Sequence, residues 1–418
     1  MSSPRVILHV DVNSAFLSWS NLGYMAEGGQ DLRLIPSAVA GDQHARHGII
    51  LAKSIPAKNL GITTGEPLFQ ARKKCPQLIT VPPNHLLYIK LSKALGEIVA
   101  QYSPVIEQFS IDEYFIDYTG SEKALGPAEE AADRLREQVK NQLGFTVNVG
   151  IGPNKVLAKM AGEFSKPDRT HHLYTEEIEQ RLWPLPIRDL FMLGAASERT
   201  LRSRGIFTIG DLACVSPEFA YRLLKSHGTT LWGYANGIDP SPVTPNKETE
   251  PKSFSNSVST PFDLTDREDI LAVLSQLCDS VCVRMRCEGY VCRLVSVGLR
   301  DSDFQTASRQ SKLTRPSSLT AELYEAAKLL ISQLWNGRPI RQISIGLGEL
   351  LPAAEAPLSL FDNEQRLRLT QLDQTFDTIR KRFGSDAIRH GVQLGNFEID
   401  HLARYAPNAE KPPSKCPF

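Results

Sequence analysis

Two segments of this chain show the same order of apolar patterns. Residues 5–12 (RVILHVDV) form a nearly continuous apolar run that predicts a buried strand. The next segment, NSAFLSWSNLGYMA, has helical apolar spacing, with Asn13 or Ser14 as its N-cap. A hairpin, an amphipathic helix, a strand and a second helix are predicted further on, at residues 104–118, 127–143, 145–151 and 153–164. This β-α-…-β-β-α-β-α order predicts a split βαβ sheet with an insertion, over residues 35–80, after the first helix.

A second β-α-β-β-α-β pattern follows a helical region at 184–237 and a Pro-rich polar linker, NGIDPSPVTPNKETEPK. Its first helix begins at a capping box, Thr265–Glu268, and ends near Gly289. The second helix and the four strands are predicted at 319–335 and at 252–260, 291–300, 303–313 and 340–349. A further helix at 365–383 precedes a tail that is predicted to be disordered from about residue 401.

Composition describes a globular protein of several domains. The chain has 418 residues, and its 47 basic and 47 acidic residues give a net charge of zero, so any nucleic-acid site must come from local clusters. No apolar run is long enough to span a membrane. The apolar stretch at the N-terminus is too short for a signal peptide, so we expect a cytoplasmic location. Four of the seven cysteines, Cys278, Cys282, Cys287 and Cys292, are close in sequence without a C-x-x-C pair. We favour buried thiols over a zinc site there.

Two adjacent carboxylates, Asp112 and Glu113, interrupt the apolar hairpin strand QFSIDEYFID. They have no basic neighbours in sequence, and two such charges repel each other unless a cation is bound. In a split βαβ sheet the first strand and the hairpin strand can be adjacent, so that Asp11 and Asp112 meet on one face with Glu113 near the rim. Hard oxygen ligands favour Mg²⁺. The alternative is that Asp11 caps a helix and the other two acids lie on an exposed edge.

Several motifs resemble those of the Y-family DNA polymerases, the translesion enzymes, and specifically the DNA polymerase IV type. HVDVNSAF, SIDEYFID and VNVGIGPNKVLAKMAGEFSKPD resemble the first three motifs of the family in the right order. GIFTIGDLA resembles the helix-hairpin-helix region of the thumb, and TPFDLTDRED and RDSDFQTASRQSKL resemble the little finger. The resemblance covers roughly residues 5–395. It implies an α+β multidomain fold, a right-hand polymerase with a βαββαβ-type palm, small fingers, a helical thumb and a βαββαβ little finger.

The resemblance also implies domain limits. The palm would comprise residues 1–23 and 81–168, and the fingers residues 24–80. A thumb at 169–237, a linker at 238–250, a little finger at 251–350 and a C-terminal segment at 351–418 would follow.

Functional residues carried over from the family are the following. Asp11 and Asp112 match the metal-binding aspartates, Glu113 the catalytic glutamate that completes the metal site, and the Val12 carbonyl a backbone metal ligand. Phe16 matches the steric gate that excludes the ribose 2′-OH, and Lys166 a lysine that contacts the incoming triphosphate. Ile55 and Lys58 stand where many members have Tyr and Arg, so Lys58 keeps the charge without the bidentate fork. Asn13 replaces a frequent Asp, and LGAAS at 193–197 lacks the usual Gly-x-Gly turn.

Binding partners are expected in the second half of the chain. Basic residues of the last βαββαβ unit would contact the DNA backbone, namely Arg284, Arg286, Arg293, Arg300, Arg309 and Lys312. In APLSLFDN, Leu358, Leu360 and Phe361 resemble a sliding-clamp peptide whose usual Gln is replaced by Pro357. The alternative is that these apolar side chains pack onto the little finger.

The resulting hypothesis is a template-directed translesion DNA polymerase that uses two Mg²⁺ ions, acts as a monomer and lacks proofreading. The primer 3′-OH would attack the α-phosphate of a dNTP and release pyrophosphate. Two alternatives belong to other classes: a catalytically inactive DNA-binding accessory subunit, and a nucleotidyl cyclase. The intact acids argue against the first, and the thumb-like and little-finger-like segments argue against the second.

Overall fold

A computed structural model describes residues 5–42, 48–245, 250–357, 364–384 and 387–393. These residues form two compact units. The first contains the described residues up to Gly41 and from Gly48 to residue 245, and the second contains Asp42 and the described residues from Glu250 onward. In the part of the chain that the structure describes, no helix is both long and apolar enough to cross a membrane.

The central sheet of the first unit has the strand order β5-β6-β1-β7-β8. Its strands are β1 (Ile7–Val12), β5 (Ile106–Gln108), β6 (Glu113–Asp117), β7 (Val147–Gly152) and β8 (Thr170–His172). Strand β1 pairs antiparallel with both β6 and β7, and all six of its residues are buried. The predicted adjacency of the first strand and the hairpin strand is confirmed.

Helices cover this sheet and form the main core of the unit. They are α1 (Ala15–Ala26), α4 (His85–Val99), α5 (Glu122–Leu125), α6 (Ala128–Leu143) and α7 (Lys155–Glu163). Trp19, Tyr88 and Phe145 are fully buried among them. Ser14 is the N-cap of α1, but its side chain makes no capping hydrogen bond. Asn13 instead bonds Asn148 and Thr146 across the sheet.

The insertion after α1 is a small three-stranded sheet with the order β3-β2-β4. Its elements are β2 (Ser37–Ala40), β3 (Ile50–Lys53), α2 (Ile55–Asn59), α3 (Leu68–Lys74) and β4 (Ile79–Val81). A separate apolar cluster that includes Ile50, Ile62 and Leu68 holds it together. The insertion is therefore a folded layer with its own core.

The last part of the first unit is helical, as predicted. It contains short turns and the helices α8 (Ala195–Arg202), α9 (Ile209–Ala213), α10 (Pro217–Leu224) and α11 (Ser226–Ala235). Their buried face includes Leu201, Ile209 and Leu231 and packs with residues of α7 in one cluster.

The second unit has the predicted β-α-β-β-α-β order and an antiparallel sheet of order β11-β10-β12-β9. Its elements are β9 (Phe254–Leu264), α12 (Arg267–Cys287), β10 (Tyr290–Asp301), β11 (Thr306–Ser317), α13 (Thr320–Leu334), β12 (Ile340–Pro352) and α14 (Glu364–Phe383). Helices α12 and α13 pack on one face of the sheet, where Val258, Val295 and Ile345 are buried. Alternate strand residues point to the opposite face.

Two local predictions concern the start of α12 and the cysteines of the second unit. The N-cap of α12 is Asp266 rather than Thr265, because the Asp266 carboxylate accepts the Glu268 N–H at 3.0 Å. Cys278, Cys282 and Cys292 are buried in the core of the second unit, as predicted for structural thiols. Burial raises the pKa of Cys292 to about 12, so that this thiol stays protonated.

Candidate active site

The three acids selected from the sequence lie at one end of the paired strands β1 and β6. Asp11 is directly opposite Glu113 in the antiparallel register, and the Val12 N–H donates to the Asp112 carbonyl at 3.2 Å. Directly opposed residues of antiparallel strands point to the same face. Asp11 and Glu113 therefore share a face, whereas Asp112 precedes β6. The sequence predicted that Asp11 and Asp112 would share a face, and the observed pairing is with Glu113 instead.

Asp11 is buried and its charge is balanced by a lysine. Its side chain is 11% exposed, and its carboxylate accepts a short hydrogen bond from the Lys166 ammonium. Lys166 also donates to Glu163 at 2.8 Å. Burial raises the pKa of Asp11 despite this partner. A second positive charge near this carboxylate would therefore be favourable.

Glu113 is held in its charged form. The Lys159 ammonium donates to its Oε2 at 2.6 Å, and Nε2 of the buried His9 lies 3.3 Å from the same oxygen. Burial alone would raise the pKa of Glu113, but the hydrogen bonds from His9 and Lys159 outweigh burial and lower it to about 2. Burial lowers the pKa of His9. Neutral His9 can still donate to Glu113 through Nε2–H.

These lysines correct one premise of the sequence analysis. The acids were taken to be uncompensated because no basic residue is near them in sequence. Lys159 and Lys166 come from α7 and the loop after it, 46 and 155 residues from their partners Glu113 and Asp11. Sequence reasoning missed Lys159 and His9. The available signal was the position of Lys159 on a helix that follows a strand adjacent to β1.

A pocket of about 270 Å³ opens beside Asp112. It is lined by Val12, Ser14, Ala15, Phe16, Leu51, Ala52, Lys53, Thr64 and Asp112. The Ser110 hydroxyl donates to Asp112 Oδ1 at 2.6 Å and orients that carboxylate. The pocket thus combines a carboxylate, the start of α1 and a cation from β3, which is a suitable lining for a charged ligand that binds with a metal ion.

Phe16 forms part of the pocket wall and does not lie in the core interior. Its half-buried ring stacks on Tyr88, with ring centroids 4.8 Å apart and an interplanar angle of 10°. Trp19 packs at 6.2 Å. This packing restricts the direction of the ring.

The oxygen donors at this end of the sheet suit an open magnesium site rather than a complete set of protein ligands. Among the described residues, no group of three or more His, Cys, Asp and Glu side chains is arranged to hold a metal by itself. Asp11 and Asp112 supply hard carboxylate oxygens from adjacent segments. Mg²⁺ is typically held by one or two carboxylates together with waters and substrate phosphates. The donor set therefore suits an ion that arrives with a phosphate ligand.

Two predicted nucleotide contacts, Lys58 and Lys166, are not part of the pocket lining. Lys58 is exposed on α2, and Lys166 binds Asp11. Lys53 lines the pocket instead. Sequence reasoning missed Lys53, because a single lysine at the end of a short strand carries no pattern that marks it as a ligand.

The predicted DNA-binding residues lie in the second unit, and they do not share one face. Arg300 and Lys312 are on the sheet face opposite the helices, since Lys312 pairs with Leu294 and Arg300 with Thr306. Arg309 pairs with the buried Val297, so it lies on the helix side and donates to Gln333 of α13 at 3.3 Å. Arg293 is exposed beside a register shift between Cys292 and Leu294.

Arg284 and Arg286 are on α12 and have partners within the unit. The Arg284 guanidinium donates to the Ser255 carbonyl at 2.6 Å. Arg286 donates to Asp377 at 2.8 Å through two nitrogens and to Asp373 at 3.3 Å, and so attaches α14 to α12. This placement does not support a DNA contact for Arg286, because its charge is already neutralised by carboxylates of the same unit.

The face of the second sheet opposite α12 and α13 is mostly polar. We call it the open face, and it consists of Ser255, Ser257 and Ser259 of β9, Gln342, Ser344, Gly346 and Gly348 of β12, Leu294, Ser296, Gly298 and Arg300 of β10, and Thr306, Ser308, Gln310 and Lys312 of β11. A Cβ on Gly298 would lie 2.6 Å from the Ser344 hydroxyl, and one on Gly346 would lie 2.7 Å from the Ser296 hydroxyl. Each serine therefore lies over the glycine of the neighbouring strand, and only small side chains fit.

The predicted clamp residues Leu358, Leu360 and Phe361 lie outside the described residues.

Comparisons with known proteins identify the family of this chain. The family model described as the impB/mucB/samB family matches residues 10–163, and the model of its C-terminal domain matches residues 251–360. Proteins named DNA polymerase IV from Clostridium acetobutylicum and DNA polymerase IV 2 from Halalkalibacterium halodurans are 42% and 38% identical to this chain. The alignments cover 94% and 93% of this chain and 99% and 95% of those proteins.

A solved structure supports the same fold. A chimeric Y-family DNA polymerase, Dbh-Dpo4(243-245)-Dbh, matches with a TM-score of 0.71 at 22% identity, over 83% of this chain and 99% of that one. The fold is that of a right-hand polymerase. The chain belongs to the Y-family DNA polymerases, and within them to the DNA polymerase IV type.

Proposed function

We propose that Asp11, Asp112 and Glu113 form the catalytic centre of a translesion DNA polymerase that extends a primer by two-metal phosphoryl transfer. The chain is a DNA-directed DNA polymerase by family, and the observation that carries the site assignment is the pairing of Asp11 with Glu113 beside the Asp112 pocket. Bound Mg²⁺ ions would neutralise charge that develops on the transferring phosphate. Primer extension with Mg²⁺ and variants of these acids tests this assignment.

Each residue of the centre has a distinct task. Asp11 and Asp112 supply carboxylate oxygens, and the Val12 carbonyl is the proposed backbone ligand. Glu113, kept ionised by Lys159 and His9, completes the negative site that attracts cations. Lys166, already at Asp11, would also contact the triphosphate of the incoming dNTP. Phe16 closes the pocket beside the sugar.

The inactive accessory subunit has no support among these findings. The three acids are present, and the relatives compared are named as polymerases. Low fidelity and the absence of proofreading remain part of the proposal, as do a monomeric state and a cytoplasmic location.

The open face is our proposed surface for primer-template DNA. It carries Arg300 and Lys312 among hydroxyl and amide side chains, which can bond phosphate oxygens without reading sequence. Lys312 also pairs with Glu349 at 2.5 Å, but both side chains are largely exposed and such pairs contribute little stability. A phosphate can therefore replace that carboxylate.

Replacing both Arg300 and Lys312 by Ala should weaken primer-template binding and lower its salt dependence. Two lost phosphate contacts reduce the slope of log affinity against log salt by about 2. Fluorescence anisotropy over a salt series measures both quantities. Lys328→Ala, on α13 away from the open face, is the matched control and should change neither. An unchanged slope in the double variant would show that this face is only solvated.

A sliding clamp is the proposed protein partner, on the basis of the sequence of 356–363 alone. Leu360→Ala combined with Phe361→Ala should abolish stimulation of synthesis by the clamp, because apolar anchors dominate small interfaces. Synthesis without the clamp should be unchanged, and extension assays with and without clamp measure this. A loss of thermal stability in the free double variant would favour the packing alternative.

A further inference from the structure

Lys53 lies in the pocket wall and has no role in the proposed catalytic centre. Its ammonium donates to the Thr64 hydroxyl at 2.9 Å, and both residues line the pocket. Across the residues that the structure describes, no carboxylate lies within ion-pair distance of this ammonium. A lysine without a carboxylate partner in a concave polar pocket is a candidate ligand for an anion.

The surroundings of Lys53 leave its charge poorly compensated. Burial lowers its pKa, and the neighbouring Lys58 lowers it further. The charge of Glu66 favours protonated Lys53, but the Glu66 carboxylate already accepts hydrogen bonds from the Lys74 ammonium at 2.6 Å and the Thr63 N–H at 2.9 Å. An anion in the pocket would relieve the repulsion between Lys53 and Lys58.

A second part of the pocket lining is also suited to an anion. It is formed by Ser14, Ala15 and Phe16, at the beginning of α1. The Ser14 side chain makes no capping bond, and the first turn of α1 has no acidic residue. The first N–H groups of a helix carry partial positive charge, so this end repels cations and favours phosphate. Lys53, Thr64 and the start of α1 thus present donors to one volume.

We propose that Lys53 binds phosphate oxygens of the incoming deoxynucleoside triphosphate, with Thr64 holding its ammonium toward the pocket. This inference rests on the proposed function of the pocket as the nucleotide site. It adds a phosphate contact from β3, where the sequence predicted one from Lys58 on α2. The shared triphosphate makes the contact independent of the base.

Single-nucleotide incorporation by the full chain tests the proposal. Lys53→Met should raise the KM for each of the four dNTPs about tenfold with a smaller change in kcat, whereas Lys53→Arg should recover much of the loss. Thr64→Val should raise the KM by a smaller factor. Inhibition by inorganic pyrophosphate, which contains the phosphates without sugar or base, should weaken in Lys53→Met by a similar factor. Lys123→Met, exposed on α5 and outside the pocket lining, is the control.

The outcomes separate the alternatives. A rise in KM limited to purine or to pyrimidine nucleotides would mean that Lys53 contacts a base, and it would overturn the proposal. Unchanged KM and unchanged pyrophosphate inhibition in Lys53→Met would overturn it as well. If Lys53→Met fails to fold, the KM of Thr64→Val still decides, and an unchanged value there would overturn the proposal. Failure of the parent enzyme to extend any primer would instead refute the proposed use of the pocket.

Discussion

Asp112→Asn is expected to reduce primer extension by on the order of 10²-fold or more. A metal ion supplies several kcal/mol of charge stabilisation in the transition state, and about 1.4 kcal/mol corresponds to a factor of ten. The neutral amide keeps an oxygen for the Ser110 hydroxyl, so the local structure should be preserved. Asp11→Asn and Glu113→Gln should cause losses of similar size. Steady-state extension with Mg²⁺ measures them all.

Asp117→Asn is the matched control, since Asp117 is the acid at the opposite end of β6. It should extend primers at the parental rate. Substantial activity in Asp112→Asn would contradict the assignment of the metal site.

Thermal stability distinguishes Glu113 from Asp112. Glu113→Gln removes an ion pair and should destabilise the fold, whereas Asp112→Asn should not. The pKa of Glu113 is lowered to about 2 from an ordinary value of 4.5. Its contribution to stability is therefore fully present above about pH 4.5 and is lost as the pH falls toward 2. The difference in melting temperature between the parent and Glu113→Gln should narrow over that interval.

Phe16→Ala should increase ribonucleotide incorporation by on the order of 10²-fold, the range in which a shaped apolar wall discriminates one hydroxyl group. The ring stacks on Tyr88, which restricts its rotation. In the proposed role it would exclude the 2′-OH by contact. Incorporation of dNTPs should change much less. Ratios of kcat/KM for matched rNTP and dNTP pairs measure the effect.

Two further variants make the Phe16 experiment decisive. Phe16→Leu should give an intermediate ratio because a smaller side chain remains in the wall. Phe69→Ala removes an exposed aromatic ring on α3, outside the pocket lining, and should leave the ratio unchanged. If the ratio in Phe16→Ala stayed at the parental value, Phe16 would be a packing residue only.

The sequence predicted those parts of the site that depend on neighbouring residues and regular periods. Alternation in the hairpin strand and the apolar first strand predicted that β1 and β6 pair, which places Asp11 beside the other two acids. The order of elements predicted both β-α-β-β-α-β arrangements, because most of the strands and helices have a clear apolar period, although β11 (TASRQSKLTRPS) has none.

Contacts between distant segments could not be predicted from these patterns. Lys159 and Lys166 reach the acids only because α7 packs beside β1 and β7. The sequence indicated that Arg286 contacts DNA. In the structure it binds Asp373 and Asp377 of α14, which lie about 90 residues later in the chain. Arg309 and Lys312 are three apart on one strand, so alternation alone places them on opposite faces, and the pairing with Val297 identifies which face is covered.

The serine–glycine contacts between β10 and β12 on the open face have a consequence for how a polymerase moves along DNA. Ser296 and Ser344 each lie over a glycine of the neighbouring strand, so the side chains between β10 and β12 are small at these positions. On the proposed DNA surface, a duplex that advances by one nucleotide would meet hydroxyl groups of the same kind before and after the step. Such contacts would not depend on base sequence, which suits a translesion polymerase.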